Sequence, residues 1–102
     1  MAQVDLGKVI SGKELEGILL EAAKDIGLET KSEGIYGTRY KLGSVHKIQT
    51  YDGTSIMLKK GESNIADMRM NKNEDLDFFF IYEKDGQEAL IEEYLNAVSK
   101  RI

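Results

Sequence analysis

Residues 35–60 read IYGTRYKLGSVHKIQTYDGTSIMLKK. Apolar, aromatic or β-branched residues recur along much of this stretch at every second position, and two small polar pairs interrupt it. A two-residue period belongs to a strand, whose successive side chains meet opposite faces of a sheet. Gly43-Ser44 suits a tight turn, and Asp52-Gly53 is the strongest hairpin signal in the chain. The stretch reads as three antiparallel strands, Ile35–Leu42, Val45–Tyr51 and Thr54–Lys60. Gly61-Glu62-Ser63 then turns into a weaker strand at Ile65–Met70. Asn71–Asp75 reads as a polar loop, and Leu76–Glu83, with Phe78, Phe79 and Phe80 inside it, as a strong fifth strand.

Helical patterns flank this meander. Ser11-Gly12-Lys13-Glu14 is a capping box, in which Ser11 receives the amide of Glu14. Leu15, Ile18, Leu19, Ala22 and Ile26 follow as an apolar stripe, and Gly27 is a natural left-handed stop. Gly17 interrupts this helix, and close packing against a neighbour would explain it. A second helix is expected over Gly86–Arg101, capped by Asp85 with Glu88 three residues on, and with Ile91, Tyr94, Leu95, Val98 and Ile102 on one side. Short loops make neighbouring strands antiparallel. The fold expected is α+β, a single domain over residues 1–102 of order αβββββα, with both helices on one face of a five-stranded meander.

Residues flanking a two-residue turn share a face. The covered face then carries Tyr36, Tyr40, Leu42, Val45, Tyr51, Ile56 and Leu58. Lys47 and Gln49 fall there too, a conflict that a bulge or a position beyond the helices would explain. The open face carries Arg39, Lys41, His46, Ile48, Thr50, Met57 and Lys59, and the same logic adds Arg69, Phe79 and Ile81. Ile48, Met57, Ile65, Phe79 and Ile81 would form an apolar patch turned away from the helices, and contiguous patches mark interaction sites. The simplest partner is a second copy. The leading expectation is a small, non-enzymatic binding domain that forms a homodimer through this face. Its expected binding residues are Arg39, Lys41, His46, Ile48, Met57, Lys59, Phe79 and Ile81.

Charge supports an alternative. Residues 35–72 carry 7 basic and 3 acidic side chains, whereas residues 1–34 carry 4 and 7 and residues 73–102 carry 3 and 8. A basic sheet face built from Arg39, Lys41, Lys59 and Arg69 would suit an anion or a nucleic acid. The net charge of −4 and the placing of Tyr36, Tyr40 and Tyr51 on the covered face weigh against nucleic acid. A third expectation is a small-ligand pocket between sheet and helices, lined by Met57, Met68 and Met70; methionines more often fill core gaps.

Composition excludes much chemistry. The 102-residue chain has no cysteine, no proline and one histidine, so disulfides, thiolate metal sites and His clusters are out. His46 lies mid-strand with no nucleophile motif to serve. Asn73-Glu74-Asp75-Leu76-Asp77 is the densest oxygen cluster, but it lacks the spacing and glycine of a calcium loop and reads as a solvated turn. No cofactor or metal is expected. No signal, lipidation or membrane-spanning pattern is present, so the cytoplasm is the expected location.

Overall fold

The computed structural model describes the backbone of residues 2–33, 36–42, 45–51 and 53–102, and the side chains of residues 3–32 and 53–102. Its elements in chain order are β1 (Ala2–Ser11), α1 (Gly12–Asp25), β2 (Glu29–Glu33), β3 (Tyr36–Leu42), β4 (Val45–Tyr51), β5 (Thr54–Lys60), β6 (Ser63–Met70), β7 (Asp75–Glu83) and α2 (Glu88–Ser99). Five strands form one antiparallel sheet in the order β1-β7-β6-β5-β2, and β3 and β4 form a separate two-stranded ribbon. The architecture is α+β with a five-stranded antiparallel sheet and two helices, as the sequence suggests, but the strands that make up the sheet differ.

The meander β5-β6-β7 forms its centre, and β1 and β2 supply the edges. Neither edge has a clear strand signature. In β1 the alternation of Val4 and Leu6 breaks at Gly7, whose φ of +77° lies in the left-handed region. There the register jumps from Asp5 opposite Phe78 to Ile10 opposite Leu76. The irregularity leaves Val9 65% exposed and returns Ile10 to the core. β2 reads Glu-Thr-Lys-Ser-Glu, a polar run that resembles a loop but suits an edge, where charges deter pairing with foreign strands.

α1 begins as its capping box requires: the Ser11 hydroxyl accepts the Glu14 amide at 3.1 Å. Gly12 is needed for a different reason. A Cβ there would collide with the Asn71 carbonyl and the Lys72 backbone, and the Gly12 amide donates to the Glu74 carbonyl at 2.7 Å. Gly27 follows the helix at φ +76°, the expected stop. Gly17, by contrast, is exposed with open space about it, so close packing does not explain it. α2 starts at Glu88 after Gln87, two residues later than expected. Gly86 has a φ of +83°, outside helical range, so Asp85 cannot be its N-cap.

One core joins helices and sheet. Leu15, Leu19, Ala22 and Ala23 of α1 and Ile91, Tyr94, Ala97 and Val98 of α2 meet Ile56, Leu58, Met68, Phe79 and Ile81 from the strands. Met68 and Met70 are buried in it as filling, while Met57 is not part of it. The Tyr94 hydroxyl donates to the Leu19 carbonyl at 2.8 Å and ties α2 to α1. Burial holds the phenol's pKa well above its ordinary value, so it stays a neutral donor. No helix among the described residues is long and apolar enough to cross a membrane.

Candidate binding surface

The helices cover one face of the sheet, and the other carries what alternation leaves. Along β7, Leu76, Phe79 and Ile81 are buried, while Phe78, Phe80 and Tyr82 are half-buried on the side away from the core. Register extends this outer row across the sheet. Phe80 lies opposite Arg69, which lies opposite Ser55; Tyr82 lies opposite Asp67, which lies opposite Met57 and then Lys31. Phe78 lies opposite Asp5, and Lys59 opposite Glu29.

These neighbours hold one another in place. The rings of Phe78 and Phe80 meet edge to face, centroids 5.3 Å apart. The Arg69 guanidinium lies 4.8 Å from the centre of the Tyr82 ring, a cation–π contact. Its Nε donates to Asp67 Oδ2 at 3.2 Å, and the Ser55 hydroxyl donates to Asp67 Oδ1 at 2.6 Å. Asp67 is thus gripped from β5 and from its own strand. The Ser55–Asp67–Arg69–Tyr82 chain spans the three central strands and keeps the Tyr82 ring flanked by a cation. Asp5, Glu29 and Asp67 balance Lys31, Lys59 and Arg69 in charge on this face.

The expected binding residues separate into three groups. Met57 and Lys59 lie on the open face, both half-buried. Phe79 and Ile81 do not: they are 0% and 2% exposed and belong to the core, as does Ile65. Two features cause this shift. The four-residue Asn71–Glu74 connection does not fix the parity of β7, as a two-residue turn would. In β6, Leu58 faces Ala66 while Lys59 faces Asn64, so Ile65 is an extra residue turned inward. Arg39, Lys41, His46 and Ile48 belong to the β3–β4 ribbon, where Arg39 pairs with Ile48 and Lys41 with His46. Their side chains, and those of Tyr36, Tyr40 and Tyr51, lie outside the described residues. Phe78, Phe80 and Tyr82 are the residues that sequence reasoning missed. The signal was present in the unbroken run Leu76–Tyr82, which is apolar at both parities from Phe78 onward.

Catalytic constellations do not emerge on this surface. Among the described residues, no group of three or more His, Asp or Glu side chains is placed to hold a metal ion. The Asn73–Asp77 segment is a hydrogen-bonded turn in which Asn71 Oδ1 accepts the Asn73 amide at 2.9 Å. Between sheet and helices the space is filled by the core. A shallow groove lies at the rim, where Val4, Ile81, Ile91 and Leu95 are edged by Glu83, Glu88 and Glu92. No known protein family, curated protein or solved structure matches this chain.

Proposed function

We propose that this chain is a binding module that associates with a second copy of itself through the open face of its five-stranded sheet. The observation that carries the reading is the outer row Phe78, Phe80 and Tyr82, an aromatic strip half-exposed on the face opposite the helices. Aromatic rings with Arg and Met beside them are the side chains that protein interfaces concentrate. Charge favours a like partner. The whole chain carries −4, so two copies repel over most of their surface. On the open face the described charges cancel, and an identical surface meets it without net repulsion.

Size sets the strength. Five strands about 4.8 Å apart and about seven residues long present roughly 550 Å². Two copies would bury roughly 1,100 Å² together, at the lower limit of specific interfaces. The dimer should therefore be weak and reversible, with a dissociation constant on the order of micromolar or higher. Sedimentation equilibrium over a wide range of protein concentration tests this. The mean mass should climb from 11.5 kDa towards twice that value as concentration rises. Phe80→Glu should weaken association by at least about tenfold. A mass of 11.5 kDa at every concentration would end the proposal.

A further inference from the structure

The sequence places a single basic surface across Arg39, Lys41, Lys59 and Arg69, and the structure divides it. Lys59 and Arg69 lie in the five-stranded sheet, where Arg69 is bound to Asp67. Arg39 and Lys41 lie in β3, which pairs with β4 and not with that sheet. β2 and β5 stay paired as far as Glu33 opposite Ser55, and the chain runs on into Tyr36 opposite Tyr51, the outermost printed pair of the ribbon on that side.

The ribbon's composition differs sharply from the rest. Residues 36–51 hold Arg39, Lys41 and Lys47 with no Asp or Glu, whereas the other residues hold 11 basic and 18 acidic side chains. A +3 segment is thus borne by a body of −7. Register concentrates it: Lys41 is opposite His46, Tyr40 opposite Lys47, and Arg39 two positions along from Lys41. Tyr36, Tyr40 and Tyr51 interleave with these cations.

We propose that the β3–β4 ribbon is a nucleic-acid-binding arm, its Arg39, Lys41 and Lys47 contacting the phosphate backbone. A two-stranded ribbon has the width to enter a duplex groove, and tyrosines among cations suit base stacking on single strands. The acidic body confines binding to the arm, since phosphates are repelled elsewhere. Affinity is therefore modest, insensitive to sequence and set by three phosphate contacts. On duplex DNA these give a log–log salt slope of about −2.7, a loss of about 40-fold between about 50 mM and about 200 mM salt.

Fluorescence anisotropy with the full chain tests this, using a labelled duplex DNA and a labelled single-stranded RNA of equal length. Binding at low salt should weaken with the stated slope. Arg39→Gln/Lys41→Gln/Lys47→Gln should weaken it by at least about tenfold and flatten the slope. Arg39→Lys should retain it, and so should Lys13→Gln, an exposed lysine of α1. Should the triple variant lose its fold by circular dichroism, the single Lys41→Glu variant replaces it and should likewise weaken binding. A stronger duplex signal assigns the arm to a groove, and a stronger single-strand signal assigns the tyrosines to stacking; either upholds the proposal. No binding to either probe at the lowest salt, or equal binding by wild type and the ribbon variant, overturns it. Repeating the titration with Phe80→Glu separates this arm from sheet-face association, because the arm acts within one copy.

Discussion

β7 offers the same residue class to two environments. Towards the helices, Phe79 and Ile81 are 0% and 2% exposed; on the other side, Phe78, Phe80 and Tyr82 retain contact with water. The inner residues sit in a core closed by Leu15, Leu19 and Tyr94. The outer ones have only one another, Arg69 and the strand beside them. Burying apolar surface gains roughly 25 cal/mol per Å², so the inner side yields most of its stabilisation within one copy. The outer side holds part of its gain in reserve for a partner. Stability and association should then respond to different positions of a single strand.

Substitutions that break this contrast can be ranked. Phe79→Ala should have the largest effect, about 3–5 kcal/mol of stability by urea denaturation, because it opens a cavity in a closed core. Gly12→Ala should follow, at about 1–3 kcal/mol, since its methyl meets backbone that must move. Tyr94→Phe should cost about 1 kcal/mol, by loss of the bond to the Leu19 carbonyl with packing retained. Phe80→Ala should remove no more than about 1 kcal/mol from the monomer while reducing association. A Phe80→Ala variant as destabilised as Phe79→Ala would show that the two faces are not distinct. Smallest, and of opposite sign, Gly17→Ala should raise the stability by up to about 1 kcal/mol, its exposed helical site having room for a methyl.

The legible parts of the molecule are those fixed by local chemistry. The Ser11 capping box, the Gly27 stop and the core stripe of α1 follow from neighbours within a few residues. The inward turn of Ile56 and Leu58 follows from alternation within one strand. What was hidden depends on distant pairing. β1 and β2 are strands because β7 and β5 accept them as edges, although Gly7 interrupts one and charges fill the other. The faces of Phe79 and Phe80 were ambiguous because an apolar run has no period, and the bulge at Ile65 shifts parity without a glycine to mark it. The candidate surface was thus assigned to the correct side of the sheet at Met57 and Lys59, and to the wrong side at Phe79 and Ile81.

The most direct test of sheet-face association is a dilution series followed by amide resonances. Amides of residues 78–82 in β7, with those of Asp67, Arg69 and Met57, should shift together as the protein is diluted, while those of α1 and α2 stay fixed. Resonances that do not move at any concentration, or shifts confined to the helices, would contradict the account.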